Sequence, residues 1–160
     1  MSGYYNDEQA TKKVLTEDGW LKSGDLGILH PNGFIELKGR LKNMIVGPSG
    51  ENIYPEDIED VINTHAMVLE SMVYEMRGKL IAKVQLNREE LQAKYAMLKE
   101  TALTIQQMID ERILEIMKEI QEYVNSRVAT FSRLHLVIEQ VEPFEKTPTH
   151  KIKRYFYTAN

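Results

Sequence analysis

The apolar positions of this chain switch between two spacings, and each switch marks an element. From Glu8 to Leu15, Ala10, Val14 and Leu15 share a rough helical face, which predicts a short helix before the Asp18-Gly19 turn. Asp25 to Leu37 reads as a hairpin. Leu26 and Ile28, then Phe34, Ile35 and Leu37, flank His30-Pro31-Asn32-Gly33, and Asn-Gly is a strong hairpin signal. A second hairpin is predicted over 43–54, with strands Met44–Val46 and Asn52–Tyr54 around the loop Gly47-Pro48-Ser49-Gly50-Glu51. Pro55 suits the first position of a helix, and Glu56 and Asp57 suit its positive end. Ile58, Val61 and Ile62 carry that helix to about His65.

Val68–Met76 and Lys79–Leu86 are strand-like and join at Arg77-Gly78, with Val73, Ile81, Val84 and Leu86 expected inside. Asn87 caps a helix starting near Arg88. Leu91, Tyr95, Leu98, Ala102, Ile105, Ile109, Ile113, Ile116 and Ile120 then recur at steps of four and three. Glu100, Glu111, Arg112 and Lys118 lie off that stripe. The pattern fits one amphipathic helix, or two with a break. The stripe fits either packing on the chain's own sheet or a dimer contact through the 88–125 helix. Leu134–Val141 is the last predicted strand. Strands mixed with helices give an α+β fold: a small mixed sheet with flanking helices, preceded by a β-hairpin segment.

The 160 residues suffice for a domain with an appendage. A net charge of −4 offers no global field for nucleic acid or an anionic membrane. The lack of cysteine excludes disulfides, thiolate catalysis and cysteine metal sites. No apolar run approaches the ~18–20 residues of a membrane span. Met1 to Asp7 lacks the basic and apolar regions of a signal peptide. His30, His65 and His135 lack ligand spacing, so no metal site is expected.

Several residues carry candidate chemistry, each beside a plainer reading. Asp25, in Ser23-Gly24-Asp25-Leu26-Gly27, accepts from vicinal hydroxyls or is a turn residue. Arg40 offers a donor fork to phosphate or ribose, or forms a surface ion pair. The glycines of the 47–51 loop allow close approach of a ligand, or simply close a hairpin. Glu56, Asp57 and Glu59 read as a solvated helix face. Lys146, Lys151, Lys153 and Arg154 beside Tyr155, Phe156 and Tyr157 form either a solvated basic tail or a polyanion patch.

Three segments in order change the weighting: Gly19–Gly27; Gly39–Ile45 with Gly50–Glu59; and Lys146–Arg154. Together they resemble the C-terminal end of adenylate-forming enzymes, the superfamily of acyl-CoA synthetases, luciferases and peptide-synthetase adenylation domains. The style is most similar to a bacterial long-chain fatty acid–CoA ligase. The resemblance implies that residues 1–41 end a large N-terminal AMP-binding domain and residues 42–160 form a mobile C-terminal domain. It implies a fatty acid activated by ATP to an acyl-adenylate, then transferred to coenzyme A. Asp25 and Arg40 would bind the nucleotide, Lys42 would be the hinge, and Gly47, Ser49 and Gly50 would line the coenzyme A tunnel. Lys151 would be catalytic in adenylation. Thr147-Pro148-Thr149-His150-Lys151 fits the family's Pro-x-Thr-x-x-Gly-Lys from the Thr onward, with His150 in place of the usual Gly. ATP, coenzyme A and Mg²⁺ would all need the N-terminal domain, since no Gly-rich phosphate loop is present. That domain and the fatty acid are the implied partners, and nucleic acid is not. The implied location is cytoplasmic, peripheral to the inner membrane in the parent. By itself the chain is expected to be an inactive fragment.

Overall fold

The computed structural model describes residues 1–96 and 102–158. It divides into two compact units, Met1–Met44 and Ile45–Asn160.

In the first unit, helix α1 (Glu8–Val14) starts where Asp7 Oδ1 accepts the Ala10 N–H at 2.8 Å. Strands β1 (Asp25–Leu29) and β2 (Ile35–Arg40) pair antiparallel. Their turn closes with Gly33 N–H on the His30 carbonyl at 2.9 Å. The register shifts by one residue between Leu26, opposite Gly39, and Gly27, opposite Leu37. No residue of this unit is buried, and Leu29, Phe34, Ile35 and Leu37 are largely exposed. The hairpin forms as its pattern predicts, yet it encloses no core.

The second unit holds the core. A short hairpin, β3 (Ile45–Val46) with β4 (Asn52–Ile53), leads into α2 (Pro55–Asn63), which has Pro at its start. Strands β5 (Val68–Met76), β6 (Lys79–Leu86) and β7 (Leu136–Glu139) form one sheet in that order. β5 and β6 are antiparallel, whereas β6 and β7 are parallel. A parallel neighbour cannot follow by a tight turn, so the chain crosses over through α3 (Arg88–Tyr95) and α4 (Ala102–Asn125). The stripe therefore turns inward. Ile109, Ile113, Ile116 and Ile120 are buried in one cluster with Val73, Ala82, Val84 and Val137 of the sheet and Ile58 and Ile62 of α2. Leu91 is buried there too, and Tyr95 and Ile105 pack against it. Leu98 and Glu100 of the expected pattern lie outside the described residues. A short helix, α5 (Tyr155–Thr158), lies near the C-terminus.

The last strand starts later than the predicted Leu134 for a visible reason. Asn125, at the end of α4, accepts the Leu134 N–H at 2.7 Å and donates to the Leu134 carbonyl at 2.9 Å. Gln121 takes the His135 carbonyl at 2.8 Å. The helix side chains thus occupy the backbone groups a longer β7 would use. Among the described residues, no helix is long and apolar enough to cross a membrane.

Ile120→Ala should cost about 2–5 kcal/mol of stability, because it empties a packed position. Leu114→Ala, on the exposed side of α4, should stay within about 0.5 kcal/mol. Urea denaturation of the two variants checks both.

Candidate functional site

In the first unit, the end of β2 meets the start of β1. Asp25 and Arg40 are register partners, and Arg40 Nη1 lies 3.0 Å from Asp25 Oδ1. The same nitrogen donates to the Ser23 carbonyl at 2.8 Å. Leu41 N–H on the Gly24 carbonyl, at 2.9 Å, extends the pairing past the strand. Lys42 follows on a single 3₁₀ turn, Leu41–Asn43, and is exposed. Ser23, Gly24, Arg40, Leu41 and Lys42 line an open depression of about 460 Å³. Arg40 is thus ion-paired, as the plainer reading has it, and its pair remains accessible. Asp25 and Arg40 keep 37% and 43% of their side chains exposed. A carboxylate acceptor beside a partly free guanidinium fork is a fitting arrangement for vicinal hydroxyls next to phosphate.

The second unit contributes two loops with one backbone scheme. In the first, Gly50 N–H donates to the Gly47 carbonyl at 3.0 Å and Gly47 N–H to the Glu51 carbonyl at 2.8 Å. In the second, His150 N–H donates to the Thr147 carbonyl at 2.9 Å and Thr147 N–H to the Lys151 carbonyl at 2.8 Å. Pro48 and Pro148 hold the same place, followed by Ser49 and Thr149. The fourth residue is left-handed in both, Gly50 at φ +88° and His150 at φ +59°. That conformation is why glycine suits this position, and histidine is among the side chains that tolerate it better than most. Gly47 is buried: a Cβ there would come within 2.9 Å of Glu51 Oε2. Pro48, Ser49 and Gly50 are exposed. In the second loop, Lys151 N–H also reaches Thr147 Oγ1 at 3.2 Å, and Thr147 and Thr149 hydroxyls lie 3.0 Å apart.

The cations around Lys151 are not a free patch. Lys146 pairs with Glu70 at 2.7 Å and Lys153 with Glu145 at 3.8 Å. Arg154 Nη2 binds Glu59, and Nη1 donates to the Val73 carbonyl at 3.1 Å. Lys151 is exposed and makes no ion pair among the described residues. Tyr157 of the tail packs edge-on against Phe144 and lies under Lys83, with Nζ 5.2 Å from the ring.

Glu59 corrects the expectation of a solvated acidic face. It is only 8% exposed, and its Oε1 accepts the Val73 N–H at 2.6 Å. Burial pushes its carboxyl above the ordinary range, against the opposing pull of Arg154. The signal was in the sequence: Pro55, Ile58, Glu59 and Ile62 are the buried positions of α2, at i, i+3, i+4 and i+7. An acid in an apolar stripe calls for a buried partner.

No protein-family model matches the chain. It is 33% identical over 155 residues to a probable acyl-activating enzyme of Arabidopsis thaliana, covering 97% of this chain and 26% of that protein. It is 42% identical over 72 residues to a long-chain-fatty-acid–CoA ligase of Mycobacterium tuberculosis, covering 45% of this chain and 12% of the ligase. The Bacillus subtilis o-succinylbenzoate–CoA synthetase, solved with its acyl-adenylate intermediate, aligns with a TM-score of 0.70 at 26% identity, covering all of this chain and 28% of that one. The chain thus spans about a quarter of the length of the relatives it follows from end to end.

Arg154→Ala should cost about 3–5 kcal/mol near neutral pH, because it strands a buried carboxylate. The folded-state pKa of Glu59 is raised, so the folded protein holds that proton more tightly than the unfolded chain. Removing Arg154 raises that pKa further, so the penalty should shrink as pH falls and level off once Glu59 is protonated in both folded proteins, below the raised wild-type value. Denaturant titrations across that window read it. At position 150, thermal melts should rank Gly above His above Val, over a span on the order of 1–2 kcal/mol.

Proposed function

We propose, from the premise that this chain matches the C-terminal domain region of the adenylate-forming acyl-CoA ligases, that it serves both half-reactions of such a ligase. Residues 1–41 close the large nucleotide-binding domain, and residues 42–160 form the mobile domain. The parent joins a carboxylic acid to the α-phosphate of ATP, releases pyrophosphate, and passes the acyl group to coenzyme A. Mg²⁺ enters with ATP as part of the substrate, offsetting phosphate charge. The relatives named above include ligases for acids of different kinds. A long-chain fatty acid is our reading of the acid, supported by the 42% match to the mycobacterial ligase. We place the parent in the cytoplasm, touching the membrane from which fatty acids are drawn.

Asp25 accepts the ribose hydroxyls, with Arg40 beside it toward the phosphates. Lys42, exposed between the ordered end of β2 and the core, absorbs the rotation of the small domain. In adenylation, negative charge spreads over the carboxylate, the α-phosphate and the leaving pyrophosphate. The Lys151 ammonium, a compact charge on a flexible stem, stabilises that charge. After rotation, Gly47, Ser49 and Gly50 line the path of the pantetheine arm. A thin ligand there meets backbone instead of side chains.

The observation that carries this reading is the selective freedom of Lys151. Its neighbours Lys146, Lys153 and Arg154 are engaged by the protein's own carboxylates, while Lys151 stands exposed at the end of a hydrogen-bonded turn. A polyanion patch would leave several cations available, and a solvated tail would not order the turn. A dimer seam would have to use the outer side of α4, where Leu103 and Leu114 are exposed, because the stripe is spent on the sheet.

In the full-length ligase, Lys151→Ala should lower acid-dependent ATP–pyrophosphate exchange on the order of 10²–10³-fold. It should leave transfer from preformed acyl-adenylate to coenzyme A largely intact. Unchanged exchange would sink the assignment. The 160-residue chain alone should show no exchange in the same assay.

A further inference from the structure

Arg154 follows Lys151 by three residues but does not behave as a tail cation. It reaches Val73, on edge strand β5, through that residue's carbonyl at 3.1 Å. Its other terminal nitrogen binds Glu59, whose second oxygen takes the Val73 N–H at 2.6 Å. One residue of β5 is thereby held through both backbone groups, by α2 and by the C-terminal segment at once. Those groups point away from β6, and burying them without partners would be costly.

The same contacts fix the base of the 147–151 turn. Its two legs pair through the Lys146–Ile152 bridge and through Lys153 N–H on the Glu145 carbonyl at 2.8 Å. Lys146 ties the first leg to Glu70 of β5 at 2.7 Å. Arg154 ties the second leg to the same strand. No residue of the turn itself is buried. The direction of the Lys151 stem is therefore set by where its legs are anchored, not by packing around it.

We propose that Arg154 is a positioning residue for Lys151, acting through Glu59 and the backbone of Val73. This rests on the reading of Lys151 as the cation of the adenylation step. A planar guanidinium holds the carboxylate and the carbonyl together in one orientation, which a lysine cannot reproduce. Displacing a charge-stabilising group by about 1 Å costs on the order of 10²-fold in rate.

The test uses Arg154→Lys in the full-length ligase, because a lysine leaves Glu59 a counter-charge and removes only the fork. The two half-reactions are measured separately, as ATP–pyrophosphate exchange and as transfer from preformed acyl-adenylate to coenzyme A. We expect kcat for adenylation to fall about 10–100-fold, KM for ATP and acid to hold, and transfer to be unchanged. In a Lys151→Ala background, Arg154→Lys should remove nothing further. Equal losses in both half-reactions, or a loss that adds to that of Lys151→Ala, would mean a merely structural role and overturn the proposal. Wild-type adenylation in Arg154→Lys would overturn it as well. Glu59→Gln keeps the acceptor for Val73 and guards against a folding artefact. It should show the same selective pattern to a smaller degree, and equal losses there also count against the proposal. If Lys151→Ala alone leaves adenylation intact, the underlying reading of Lys151 has failed, and Arg154 need not be consulted.

Discussion

The parallel pairing of β6 with β7 is the constraint from which the second unit follows. A parallel neighbour obliges the chain to leave the sheet, cross one face and return. The crossing helix must bury an apolar stripe on that face, and Ile109, Ile113, Ile116 and Ile120 supply it. With one face sealed, function has to come from elsewhere: the edge of β5, the short hairpin before α2, and the segment beyond β7. The residues singled out for chemistry in this unit lie on those peripheral pieces. This separation of packing from chemistry lets a rigid core carry exposed turns.

The two turns show how one backbone solution carries two sets of side chains. Each sets a proline second and a small hydroxyl residue third, then a left-handed residue, with the same pair of main-chain hydrogen bonds. The 47–51 turn offers a smooth surface, with a buried glycine at its base and a glycine at its bend. The 147–151 turn ends in a cation. The same main-chain bonds thus present different side chains to solvent. His150 is the one place where the second turn departs from the glycine solution, and its φ of +59° shows that the departure is conformationally tolerated.

Much of this was legible in the residues. The hairpin around Asn32-Gly33, the proline-initiated α2, the β5–β6 pair and the stripe of α4 all follow from local pattern, because each is a short-range consequence of spacing and turn chemistry. The pairing of Asp25 with Arg40 was legible only as two separate residues, since register, not spacing, brings them opposite each other. Glu59 departs from the solvated face that its charge suggests, because its position on the stripe decides its burial. The stripe of α2 placed it inside, and its partner lies 95 residues away at Arg154. Long-range pairing leaves no local periodicity to read. The late start of β7 has a similar cause, since Asn125 and Gln121 claim backbone groups of Leu134 and His135 that the strand pattern alone assigned to the sheet.

The first unit leads somewhere else. Its 44 residues, Met1 to Met44, include no buried side chain. Unfolding them exposes little apolar surface to water, and exposed apolar surface is what raises the heat capacity on unfolding. A calorimeter would therefore register this chain as smaller than its length. The heat-capacity increment would belong to Ile45–Asn160, with the preceding residues melting silently in that signal.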